Sequence, residues 1–149
     1  MKTSTLALFA LLAACTGPAA DSPEARAEKV KAGVREWVEQ NAHDPASYQF
    51  VSLAGPDTVS ETLLHRERAA YAAGAVTKGN YDAPSLRLKS DREAQVADSL
   101  RGTPAGNRPA LYRYTVKCRM KNAAGGLVLT QLTAETDTTG TVTAVRQTE

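Results

Sequence analysis

Apolar residues recur at three- and four-residue steps from Ala27 through Val30, Val34, Trp37 and Val38, and charged residues fill most of the positions between them. A 3.6-residue period places the apolar set on one side of a helix and the charges on the other. Ser22-Pro23-Glu24 supplies the start: a capping hydroxyl, a proline at the first helical position and an acid in the first turn. The helix is expected to end near Asn41, because Asp44 precedes Pro45 and is biased away from helical backbone. Tyr48-Gln49-Phe50-Val51-Ser52-Leu53 has β-branched and aromatic character and reads as a strand, closed by a turn at Gly55-Pro56-Asp57. Helical stretches follow at about 61–73 and 85–101, separated by the breaker-rich Lys78–Pro84, with Gly102 where a C-terminal cap belongs.

From Leu111 to Lys121 the period changes to two. Tyr112, Tyr114, Val116, Cys118 and Met120 fall on one face, and Leu111, Arg113, Thr115, Lys117 and Arg119 on the other. Asn122-Ala123-Ala124-Gly125-Gly126 supplies a turn, and 127–136 returns as a second strand. If Asn122 and Gly126 face each other, Val116 lies opposite Leu132 and Arg113 opposite Glu135, so apolar meets apolar and base meets acid. Asp137-Thr138-Thr139-Gly140 makes another turn before a short last strand, 141–147, whose facing is ambiguous. The predicted fold is α+β: an N-terminal amphipathic helix, one strand, two helical segments, then a three-stranded antiparallel meander, with helices packed on one face of the sheet. That order is similar, as an analogy of fold, to cystatin-like proteins, whose architecture hosts inhibitors, ligand binders and enzymes alike.

The first residues carry a different signal. Met1-Lys2 followed by the apolar run 6–12 is too short for a permanent membrane span and reads as a signal peptide. Its ending, Leu12-Ala13-Ala14-Cys15, resembles the lipobox of bacterial lipoproteins. The resemblance implies cleavage between Ala14 and Cys15 and attachment of acyl chains to Cys15, which then anchors the protein to a membrane. A plain secretory leader with a coincidental cysteine is the alternative. The expected organisation is a leader at 1–14, a lipidated tether at 15–21 and a single α+β domain at 22–149. Thr16 lacks the acidic character that resembles an inner-membrane retention signal, which favours the outer membrane, with the domain in the periplasm or at the surface. Asp44-Pro45-Ala46-Ser47-Tyr48 and Arg119-Met120-Lys121-Asn122-Ala123-Ala124-Gly125-Gly126 also resemble motifs of small uncharacterised bacterial lipoproteins and secreted proteins. That resemblance covers the two ends of the folded region and implies no activity.

Length and charge narrow the function classes. A chain of 149 residues, less its leader, buries one modest core. Loss of Lys2 with the leader lowers the formal charge from +2 to +1, which gives little electrostatic attraction for nucleic acid. His43 and His65 are far apart in sequence and lack further ligands at metal-binding spacing, and no nucleophile elbow or phosphate-cradling glycine loop is present. No catalytic residue, metal or cofactor is therefore assigned. Cys118, the one thiol left after lipidation, invites a redox reading, but its strand face favours a buried, inert group. Arg113, Lys117 and Arg119, with Lys121 following, form a line of cations on the face opposite Cys118. They are the candidate contact for an anionic ligand, a lipid headgroup or an acidic envelope protein, weighed against a merely solvated face offset by Glu135. The expectation is a lipid-anchored, non-enzymatic interaction module, with a small envelope enzyme or inhibitor as the alternative.

Overall fold

The computed structural model describes residues 22–78 and 83–148, so the leader, Ala14 and Cys15 lie outside the described residues. It contains α1 (Pro23–Asn41), a short 3-10 turn (Pro45–Ser47), β1 (Gln49–Ser60), α2 (Glu61–Thr77), α3 (Ala83–Leu100), β2 (Pro109–Lys121), β3 (Leu127–Thr136) and β4 (Val142–Thr148). The four strands form one antiparallel sheet in sequence order, and α2 and α3 are a helical hairpin inserted between β1 and β2. The class is α+β, as the chain pattern predicts.

α1 begins where expected, with Ser22 Oγ accepting from the Ala25 amide at 3.1 Å. Its buried positions are Val30, Val34 and Val38, spaced four apart. They meet Tyr114, Val116 and Cys118 of β2, Leu132 and Ala134 of β3, and Val145 of β4 in one continuous core. α1 runs from the β3–β4 turn, where Lys29 Nζ donates to the Thr139 carbonyl at 3.4 Å and Arg26 lies over the Tyr112 ring, toward the β2–β3 hairpin. Gly33 lets it approach β4: a Cβ there would stand 2.6 Å from Val142 Cγ2. No helix among the described residues is long and apolar enough to cross a membrane.

β2 and β3 pair as the alternation dictates, with Val116 opposite Leu132 and Arg113 opposite Glu135, and Asn122 N–H donates to the Gly126 carbonyl at 2.9 Å. Two details differ from the sequence reading. The sheet has four strands, because β1 pairs with β2 beside the meander, and β1 does not stop at Gly55-Pro56 but kinks there and continues to Ser60. Gly55 has φ 113°, and a Cβ would meet the Arg113 carbonyl at 2.7 Å, so glycine turns an apparent stop into a bulge within the pairing. Secondly, the helices do not share one face: α1 covers the Tyr114 side, while α2 reaches the opposite side through Glu67.

Candidate functional site

Alternation along β2 puts Arg113, Thr115, Lys117, Arg119 and Lys121 on the sheet face turned away from α1. Register adds Glu135, Thr133, Gln131, Leu129 and Leu127 from β3 as their direct neighbours. The face divides into two parts with different chemistry.

Toward the end where α1 begins, the face is closed by ion pairing. Arg113 Nη1 and Nη2 donate to the two Glu67 carboxylate oxygens at 2.7 and 2.5 Å, and its Nε donates to Glu135 Oε1 at 3.0 Å. Arg146 of β4 approaches the other Glu135 oxygen at 3.6 Å. A two-pronged guanidinium–carboxylate contact holds α2 on the sheet with both distance and orientation fixed. The bond from Arg113 holds the Glu67 carboxyl below the usual range, and Glu67 in turn raises the arginine further. Arg113 is therefore a structural clamp, and the line of three cations expected from the sequence is reduced to two.

Toward the β2–β3 hairpin the face is open. Lys117 and Arg119 are exposed and make no ion pair among the described residues. Leu129, opposite Arg119, is 63 % exposed, and Leu127, opposite Lys121, is 49 % exposed. Lys121 reaches Asp44 at 3.3 Å, while its amide donates to Ser47 Oγ at 2.9 Å. Two cations without an ion pair among the described residues thus lie on β2 beside two uncovered leucines of β3, and the leucines form the edge of the surface because β4 stops opposite Gln131. The leucines were readable in advance, since the hairpin register puts them beside Arg119 and Lys121. Glu67 was not, because nothing near it in sequence indicates a partner 46 residues later.

The other candidate chemistry is resolved by packing. Cys118 is fully buried, and burial pushes its thiol up, away from the reactive thiolate. We expect Cys118 in the native protein to react with a thiol reagent about two orders of magnitude more slowly than in the unfolded chain, followed by mass analysis of its peptide; equal rates would remove it from the core. His65 Nδ1 lies 2.5 Å from Glu93 Oε2, joining α2 to α3, and His43 borders a groove of about 260 Å³ with Trp37, Met120 and Asn122. A second groove of about 210 Å³ lies between α1 and β4, with Gly33, Trp37 and Val142 in its wall. Both are smaller than the roughly 300–1,000 Å³ usual for small-molecule sites. Among the described residues no three side chains are grouped to hold a metal ion.

The chain matches no model of a known protein family, no curated protein and no solved structure. The two cations and the leucines beside them thus stand as the functional lead by their geometry alone.

Proposed function

We propose that this protein is a lipid-anchored interaction module of the bacterial cell envelope, held by Cys15 and docking through Lys117, Arg119, Leu127 and Leu129 onto an acidic surface with an apolar flank on another envelope protein. The observation that carries the reading is Leu129, left uncovered directly opposite Arg119, which makes no ion pair among the described residues. Large apolar side chains rimmed by polar ones mark interaction surfaces more often than isolated exposed residues do. The leader supports the anchor: its ending resembles a lipobox, and several acyl chains exceed the two signals needed for stable attachment.

Geometry relates the two parts. Residues 15–21 span at most about 25 Å when extended, and they join α1 at the β3–β4 end of the domain. The open half of the sheet face lies at the other end, Arg119 standing about 20 Å along β2 from Arg113. A module tethered at one end and adhesive at the other presents its contact surface away from the bilayer that holds it.

The test is crosslinked capture from native envelopes with the full-length protein and with a Lys117→Glu/Arg119→Glu variant, alongside Leu129→Ser. The expected result is one specific partner, lost in both variants while their membrane retention stays unchanged. Cys15→Ser should release the protein from the membrane fraction and abolish its acyl mass. Capture that is unaffected by either surface change overturns the docking reading, and unchanged sorting of Cys15→Ser overturns the anchor.

A further inference from the structure

β3 pairs with β2 along its whole length in unbroken register, whereas its pairing with β4 ends at Gln131, opposite Thr148. Among the described residues, 127–130 therefore present a free outer edge. The hairpin determines which backbone groups this edge offers. Asn122 N–H donates to the Gly126 carbonyl, so by antiparallel alternation Met120 with Val128 and Cys118 with Thr130 exchange the ladder bonds to β2. The amides and carbonyls of Leu127 and Leu129 consequently turn outward, beyond the last pair with β4. Natural edges usually carry charges, prolines or bulges that discourage pairing. Leu127-Val128-Leu129-Thr130 has none of these, and its three large apolar side chains are exposed.

Resting on the docking reading above, we propose that this edge receives an extended segment of the envelope partner as an added antiparallel strand, in line with β4, with apolar side chains on one face of the segment and carboxylates on the other. In strand addition the backbone bonds supply affinity and the pockets for alternate side chains supply selectivity. The two sides of the edge differ accordingly. On the α1 side, Val128 and Thr130 help line the groove of about 260 Å³ whose other walls include Trp37, Met120 and Gln147, so an added strand would point a side chain into a largely apolar recess. That volume is small for a whole ligand and suits a single side chain. On the opposite side lie Leu127 and Leu129, and beyond them Lys117 and Arg119 on β2, two strand spacings or about 10 Å from the added strand. A glutamate and an arginine or lysine, both long and flexible, can meet across that span. Lys117 and Arg119 make no ion pair among the described residues, so carboxylates complement this side, and a second copy of the uncharged edge would leave both cations unmatched.

Trp37, the chain's one tryptophan, lines the groove and serves as the reporter. The probe is the acetylated, amidated peptide Glu-Val-Glu-Val-Glu-Val, titrated into the full chain in detergent, with hydrogen exchange of the Leu127 and Leu129 amides followed by NMR. The expected result is a saturable change in Trp37 emission and exchange of those two amides slowed by about tenfold or more. The peptide N-methylated at its glutamates, whose amides face β3 in an antiparallel strand, should bind about tenfold more weakly or worse, and the peptide N-methylated at its valines should bind nearly as the parent does. Lys117→Glu/Arg119→Glu should weaken the parent peptide by a similar factor. No binding of the parent peptide overturns strand addition, as does equal binding of both methylated forms with unchanged exchange at Leu127 and Leu129. Slowed exchange that appears with rising protein concentration and no peptide also overturns it, by assigning the edge to a second copy. Crosslinked capture from envelopes remains the separate test of the docking face: a partner lost in Lys117→Glu/Arg119→Glu but not displaced by the peptide overturns the added strand alone.

Discussion

Leu132→Ala should lower the unfolding free energy by about 3 kcal/mol, whereas Leu129→Ala, three residues earlier on the same strand, should change it by less than about 0.5 kcal/mol. Both substitutions remove the same atoms, and only the face differs. Leu132 is fully buried opposite Val116 and is the largest fully buried side chain in the core. Most of its neighbours there are valines, alanine and cysteine held on a helix and three strands, so the vacated space cannot be refilled without moving backbone. Leu129 gains little from folding because most of its surface remains in water. Urea unfolding followed by circular dichroism measures both, and the midpoint should move with little change in slope. Equal effects would mean that the sheet face carrying Leu129 is covered in the free protein, and the docking surface proposed for it would then be lost.

How much of this could be read from the chain depends on how local the signal is. The β2–β3 register was legible because three independent cues agree: a five-residue turn, the alternation of Tyr114, Val116 and Cys118 against Leu132 and Ala134, and Arg113 facing Glu135. α1 was legible from Ser22 at one end and from Asp44-Pro45 just beyond the other, with Val30, Val34 and Val38 between them. β1 was misjudged in length because Gly-Pro-Asp is the residue chemistry of a turn. Only its position beside the β2 backbone makes it a bulge. The helical hairpin is legible as two helices but its placement is not, since the residues buried along it, Ala69, Ala72 and Ala97, are small and leave little periodic signature. The contact of α2 with the far face of the sheet is hidden because Glu67 meets Arg113 across 46 residues of sequence, and it separates Arg113 from Lys117 and Arg119. Strand parity groups residues by side; it does not reveal which stretch of that side another element will cover.

Arg113→Ala should cost about 2 kcal/mol and should reduce the dependence of stability on acid. Removing one partner of a fully buried ion pair costs about 3–5 kcal/mol, and an exposed pair contributes about 1 kcal/mol or less. This network lies between those limits: the Arg113 side chain is 26 % exposed and that of Glu135 only 11 %. The substitution leaves Glu135 with Arg146 at 3.6 Å and strips Glu67 of both its bonds. The pH effect follows from Glu67, whose folded carboxyl titrates below its unfolded value because Arg113 donates to it. A depressed carboxyl contributes stability above the unfolded value, about 4.3, and that contribution disappears as pH falls through the folded one. The gap between the native protein and Arg113→Ala should therefore be widest at neutral pH and narrow steadily below about pH 5. Glu93, held down by His65, and Asp137, held down by Thr139 and Thr141, lose their own contributions in acid in both proteins, so the network is read in the difference. Glu67→Gln should reproduce most of that narrowing while leaving Arg113 bonded to Glu135. Urea unfolding from pH 7 to pH 3 measures all three proteins, and a gap that stays constant with pH would show that α2 is not held on the sheet by the Glu67–Arg113 clamp.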